Sequence, residues 1–274
     1  MPINAPKISI VTACYNHGKY IHEMIQSVMN QTLQDFEIII VNDGSTDDTG
    51  EILDKIDNDK IRIVHTGNYG PSHARNLAIG LAKSDIILNL DADDKIGKDL
   101  LEKAYNVFNT RPEAGIVYTN CRYFGASVKK LKFRPFKLKR MLISNQIISA
   151  AFFRKCDWKK CGGYSEDFIY GLEDWDLWLS ILERGRDAIE IPDSWFYYRT
   201  YKRPGESRSG RRNCNRSKAL RSILLIYNRH IELYSRYPEI KKRIILYEFE
   251  NAYTLIKIFR NLIYPVRYKL SHLI

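Results

Sequence analysis

A chain of 274 residues with 45% apolar and 27% charged side chains has the composition of a folded globular protein, which excludes a disordered polymer and leaves room for one large domain or one domain with an appendage. No run of 18 or more apolar residues occurs, so no membrane-spanning helix is expected, and MPINAPKISIV at the N-terminus lacks the basic and apolar segments of a signal peptide, so a cytoplasmic location is expected. The net charge of +11 is unevenly spread: from Arg199 onward 18 Lys/Arg face five Asp/Glu, whereas the first 198 residues hold 25 against 27.

In chain order, KISIVTA (7–13) is β-branched and bounded by Pro6 and Asn16, and predicts a strand. Ile21, Met24, Ile25 and Val28 follow the i, i+3, i+4, i+7 spacing of an amphipathic helix. FEIIIV (36–41) predicts a second strand, closed by Asn42-Asp43-Gly44-Ser45, and Ser45 or Thr46 can cap a helix over 47–57. IRIVH (61–65) predicts a third strand, and Gly70-Pro71 opens a helix with Ala74, Leu77, Ala78 and Leu81 on one side. DIILNLD (85–91) reads as a fourth strand, 98–109 as a helix and GIVYTN (115–120) as a fifth strand. Farther on, 145–155 and 195–200 suggest strands and 171–185 a helix. Residues 202–213 form a Gly/Ser/Arg loop, and from about 215 the pattern is helical and basic.

Short continuous apolar strands alternating with helices imply a mostly parallel sheet covered by helices on both faces, a Rossmann-like α/β plan. Ligands of such sheets bind beyond the carboxyl ends of the strands. Tyr15-Asn16, Asn42-Asp43 and Asp91-Ala92-Asp93 all fall there, which argues for one site rather than three polar turns. The five cysteines are odd in number and scattered, which fits reduced thiols; Cys156 and Cys161 lack the partners of a zinc site.

Asp91, Asp93 and Asp94 crowd one strand end, where like charges repel and a positive partner is required. Residues two apart in extended backbone point the same way, so Asp91 and Asp93 can face one ligand. Oxygen ligands suit Mg²⁺ or Mn²⁺, which commonly take one or two carboxylates plus substrate phosphates. An EF-hand loop is excluded, because Lys95 and Ile96 stand where it needs an acid and a glycine.

The ordered set VNDGSTDDT (41–49), GPSHARNLAIGLAKSD (70–85), LDADD (90–94) and GGYSEDFIYGLEDWDLW (162–178) resembles the inverting glycosyltransferase family 2, of the GT-A fold, over roughly residues 7 to 200. The resemblance implies a catalytic domain at 1–213, with a nucleotide-binding half at 1–121 and an acceptor-binding half at 122–213, followed by a basic helical region at 214–274. It places Asp43 on the base or ribose of a nucleotide-sugar donor, most often a UDP-sugar, with Thr12, Ala13, Tyr15 and Asn16 lining the same pocket. Arg75 would stand near the nucleotide, or be a solvated helix arginine. Asp93 would hold the Mn²⁺ or Mg²⁺ on the donor diphosphate, Asp91 would be shared between ribose and metal, Ala92 would lie between them, and Asp94 would cap the next helix.

The same resemblance makes Asp174 the general base toward the acceptor hydroxyl, with Glu173 as the fallback; both acids also suit a plain helix start. Trp175 would stack on a sugar or pack in the core. Arg199, Lys202, Arg203 and Arg208 would belong to a lid over the diphosphate, or to a solvated loop. The implied acceptor is a glycan or lipid-linked oligosaccharide. The basic tail suits peripheral contact with the inner membrane face or a homo-oligomer contact, and nucleic acid is disfavoured because no recognition motif appears. Two other classes stay open: a sugar-nucleotide nucleotidyltransferase, whose Gly-rich loop is replaced here by Cys14-Tyr15-Asn16-His17, and a non-catalytic nucleotide-sugar or glycan-binding scaffold.

Overall fold

The computed structural model describes residues 5–131, 135–203, 216–240 and 242. The chain divides into two compact units, 1–230 and 231–274. Arg208, Cys214 and most of the basic tail lie outside the described residues.

In the first unit, among the described residues, nine strands form one sheet in the order β3-β2-β1-β4-β8-β6-β9-β5, with β7 paired to β6. The strands are β1 (Ile8–Cys14), β2 (Phe36–Asp43), β3 (Ile61–Thr66), β4 (Ile86–Asn89), β5 (Lys95–Ile96), β6 (Ala114–Gly125), β7 (Lys130–Leu131), β8 (Phe152–Arg154) and β9 (Asp187–Thr200). The pairs β1–β2, β1–β4, β2–β3 and β6–β9 are parallel. β8 runs antiparallel to both β4 and β6, so β6 and β9 share the direction of β1 to β4. The carboxyl ends of six strands therefore lie along one edge. Sequence order runs outward from β1 to β2 on one side and passes to β4 on the other, so a topological switch point lies beside β1.

The helices are α1 (Gly18–Met29), α2 (Thr49–Asp54), α3 (Pro71–Leu81), α4 (Leu100–Thr110), α5 (Leu138–Met141), α6 (Lys155–Cys161), α7 (Glu173–Glu183) and α8 (Arg216–Arg229). The predicted stripe of α1 is the buried one: Ile21, Met24, Ile25 and Val28 join Ile10, Ile38 and Leu88 in the core. Each such burial is worth about 1.5–3 kcal/mol. In the second unit the described residues include the short helix α9 (Ile231–Ser235). No described helix is long and apolar enough to cross a membrane.

Three predicted elements differ, the first being the helix expected over 47–57, which is only Thr49–Asp54 and follows Asp48 rather than Ser45 or Thr46. Of 145–155 only Phe152–Arg154 is strand, because Asn145 and Ser149 are held by other elements and Lys155 begins α6 with its N–H on Asp85 O. β9 starts eight residues before the predicted 195–200, and its pairing with β6 shifts register between Thr119↔Ile191 and Asn120↔Trp195. Pro192 sits in that irregularity, where a missing N–H is tolerated.

Candidate functional site

Parallel strand ends and the loops that follow them enclose a cleft of about 800 Å³, within the usual range for ligand sites. It is lined by Ala13 near the end of β1, by Tyr15, Asn16 and His17 after it, by Asp43 at the end of β2, and by Asp91 and Asp93 after β4. Glu173 and Asp174 at the start of α7 complete the acidic set.

The loops after β1 and β2 are tied together. Asn16 takes a left-handed φ of 55°, which asparagine tolerates. Its Oδ1 accepts from Thr46 N at 2.8 Å and its own N–H donates to Ser45 Oγ at 3.0 Å. Asp43 is 3% exposed, and its two oxygens accept from the N–H groups of Tyr69 and Gly70, each at 2.9 Å. Gly70 has φ +95°, where a Cβ would be strained, and Pro71 then opens α3. These bonds fix the Asp43 carboxylate and leave further lone pairs for a ligand.

Arg75, on α3, is 6% exposed and joins two parts of the site. It donates from Nη2 to Asp91 Oδ1 at 2.7 Å and from Nη1 to Glu173 Oε1 at 2.6 Å. It is thus neither a solvated helix arginine nor open to a nucleotide on all sides. Glu173 is correspondingly held in a buried ion pair, and Asp174, which accepts from Asn145 Nδ2 at 3.0 Å, is the acid of the pair without Arg75. Gly171 and Leu172 both have positive φ, 96° and 79°, and turn the chain into α7 so that both acids fall on its first turn. A leucine there costs about 1–3 kcal/mol, a strain that functional sites tend to hold.

The three aspartates after β4 have separate surroundings. Asp91 pairs with Arg75. Asp94 is 1% exposed; it accepts from the Arg199 N–H at 2.7 Å, and its Oδ2 has no hydrogen-bond partner. Burial, with the charges of Asp93 and Asp91, pushes its carboxyl well above the ordinary range. Burial also pushes Asp93 upward, aided by Asp91, while His17 and the Tyr201 hydroxyl pull it back. Asp93 is therefore a cleft-facing carboxylate whose nearest donor is a neutral phenol, which fits a divalent cation completing its shell with water and phosphate oxygens. No cluster of three or more His, Cys, Asp or Glu forms a metal cage among the described residues. Burial pushes the cleft thiols Cys14 and Cys121 up to about 12, so neither is a thiolate nucleophile at neutral pH.

Thr12 and Ala92 are fully buried beside lining residues. Trp175 is 5% exposed and donates from Nε1 to Met141 O at 2.8 Å, a core position. Arg199 is wedged in place: Nε donates to Asp93 O at 2.8 Å and Nη2 lies 3.0 Å from Glu23, with the guanidinium over the Tyr20 ring at 4.3 Å. Lys202 and Arg203 are exposed just past Tyr201. Sequence reasoning missed His17, Asn145, Ser149, Tyr123 and Tyr201. The last two sit at the carboxyl ends of β6 and β9, and a parallel β6–β9 pairing was the signal that could have found them.

Comparison with known proteins gives a consistent set. The family model described as "Glycosyl transferase family 2" matches residues 9–168, more than half of the chain. Glycosyltransferase GlyG of Streptococcus pneumoniae is 37% identical over 116 residues, 41% of this chain and 38% of that protein. A chondroitin synthase of Pasteurella multocida is 31% identical over 190 residues, 66% of this chain and 19% of that protein. The chain thus spans well under half the length of these relatives. Among solved structures, S. aureus TarS in complex with UDP-GlcNAc superposes with a TM-score of 0.60 at 21% identity, covering 82% of this chain and 73% of that one. A mannosyltransferase from Pyrobaculum calidifontis, in complex with GDP-Man and Mn²⁺, gives 0.57 at 22% identity, covering 74% and 59%.

Proposed function

The chain belongs to glycosyltransferase family 2 and has its GT-A fold, and from that premise we propose that it transfers a sugar from a nucleoside-diphosphate donor, a UDP-sugar in the first instance, to a hydroxyl of a glycan or lipid-linked oligosaccharide with inversion at the anomeric carbon. The observation that carries this reading is the meeting of Asp43, Asp93 and Asp174, from three distant parts of the sequence, on one cleft. The UDP-GlcNAc bound by TarS and the GDP-Man with Mn²⁺ bound by the Pyrobaculum calidifontis mannosyltransferase support the donor class and the cation.

In this proposal Asp43, oriented by the Tyr69 and Gly70 amides, accepts from the uracil N–H or a ribose hydroxyl. Tyr15, 41% exposed at the rim, offers a ring face to the base. Asp93 holds the divalent cation; when bound, the cation offsets charge on the departing diphosphate. Asp91, its charge balanced by Arg75, accepts a ribose hydroxyl rather than serving as the principal metal ligand. Asp174 takes the proton of the acceptor hydroxyl as its oxygen attacks from the face opposite the diphosphate. Glu173, committed to Arg75, holds the first turn of α7 in register with β4 and so positions Asp174.

The test is release of nucleoside diphosphate from a panel of nucleotide sugars, with and without Mn²⁺. UDP release that needs Mn²⁺ and is lost in D93N and D174N is the expected result. Full activity in either folded variant would overturn the assignment.

A further inference from the structure

β5 follows the aspartate cluster directly and pairs antiparallel with β9, Lys95 opposite Tyr197 and Ile96 opposite Phe196. Before β5 the aspartates turn, with the Asp94 N–H on Asp91 O at 3.1 Å, and Arg199 and Tyr201 reach that turn through their hydrogen bonds. Arg199 locks the alignment by donating from N to Asp94 Oδ1 and from Nε to Asp93 O, while its guanidinium lies over the rings of Tyr20 and Phe124 at 4.3 and 4.4 Å. Tyr201, two residues on, lines the cleft and donates its hydroxyl to Asp93 Oδ2. Its ring is packed edge-on against Tyr20, centroids 5.9 Å apart. Among the described residues Tyr201 is the one side chain that hydrogen-bonds the Asp93 carboxylate.

We infer that Tyr201 is a positioning residue for the cation: its hydroxyl fixes the Asp93 carboxylate so that the remaining lone pairs face the cleft. The inference rests on the reading of Asp93 as the cation's ligand. A carboxylate offers about four acceptor sites and the phenol uses one, so donor and cation share the group without competing. Groups that hydrogen-bond a metal-ligating side chain orient it, and removing one typically weakens metal binding about 10–100-fold. A phenol adds no charge, so it orients Asp93 without cancelling the charge that attracts the cation.

The experiment is a Mn²⁺ titration of the full chain at saturating UDP, followed by the electron paramagnetic resonance of free Mn²⁺, for the unmodified protein, Y201F and D93N. Y201F keeps the ring packed against Tyr20, and thermal unfolding without Mn²⁺ checks that its fold is unchanged. The expected result is loss of Mn²⁺ binding in D93N and an affinity about tenfold or more weaker in Y201F, with activity largely restored at high Mn²⁺. Y201F binding Mn²⁺ as tightly as the unmodified protein, or more tightly, while D93N does not bind it, overturns the role of Tyr201 alone. D93N binding Mn²⁺ normally overturns the reading of Asp93 and this inference with it.

Discussion

Replacing Arg75 with methionine tests whether the buried ion pairs hold the two halves of the cleft together. The guanidinium side chain is 7% exposed, and its partners Glu173 and Asp91 are 6% and 27% exposed. Methionine fills much of the same volume, so the change removes charge rather than packing. Glu173 is then a buried carboxylate without its cation, and breaking such a pair costs about 3–5 kcal/mol. Asp91 loses less, because solvent reaches it. For a domain of this size each kcal/mol lowers the melting temperature by about 2–4 °C, so R75M is expected to melt about 6–20 °C lower. The double variant R75M/E173Q removes the stranded charge and is expected to recover part of that loss, a coupling of about 0.5–3 kcal/mol. Thermal unfolding by circular dichroism, with urea midpoints as a second measure, reads both. A loss below about 1 kcal/mol in R75M, or a double variant no more stable than the single one, would show that Arg75 is solvated and that the bridge is not what joins α7 to β4.

The other expectations follow from individual contacts. D174N should lower kcat about 10²–10⁴-fold with an unchanged melting temperature, since Asn145 can still donate to the amide oxygen; steady-state kinetics beside a melting curve separates the two effects. D43N turns an NH₂ group toward the Tyr69 or Gly70 amide and should raise the donor KM while costing about 1–3 kcal/mol of stability, both readable in one purified variant. His230 donates to Asp176 Oδ1 at 3.0 Å and to Glu183 Oε2 at 2.9 Å, and although burial opposes it, these two acids raise its pKa above the ordinary 6.5. A raised folded-state pKa means its stabilisation is fully present below about pH 6.5 and is lost as pH climbs through the higher value. The melting temperature should therefore fall over that interval in the unmodified protein and lose that component of its slope in H230N.

The sheet from β1 to β4 was legible because each strand is a dense β-branched run and each intervening helix carries a full apolar stripe, so the periodicity changes sharply at the boundaries. Legibility faded where burial is one-sided or the strand is short. β5 is two residues, Lys95 and Ile96, too few for any pattern. The first half of β9, DAIEIPDS, mixes acids with a proline and reads as loop, yet it pairs with β6 because that strand's apolar face is already packed and its edge is open. The site shows the same division. Asp43, Asp91 and Asp93 were visible because they follow apolar runs, where a polar residue at a parallel strand's end points to a ligand, whereas Glu173 and Asp174 were found only through the resemblance of their motif. Their partners were not: nothing in the stretch around Arg75 says that it reaches Glu173, 98 residues away, and nothing near Tyr201 says that it reaches Asp93, 108 residues away.

Those long-range partners change the electrostatic account of the LDADD segment. From sequence, three adjacent carboxylates demand one positive counter-charge, and a cation shared among them is the simplest answer. In the folded chain the demand is divided. Arg75 pairs with Asp91 while sharing its charge with Glu173. Asp94 is buried against the Arg199 backbone N–H, and that burial beside Asp93 and Asp91 disfavours its charged form. Asp93 lines the cleft with the Tyr201 phenol as its side-chain donor among the described residues. A single uncompensated carboxylate attracts a divalent cation without satisfying it, so the cation keeps vacant positions for phosphate oxygens. Two or three free carboxylates would bind it more tightly and leave fewer positions for the donor. Under the proposed function, an Arg75 bridge that keeps Asp91 from the cation would let cation and nucleotide diphosphate bind as a pair, so R75M should bind Mn²⁺ more tightly in the absence of UDP while gaining less affinity when UDP is added.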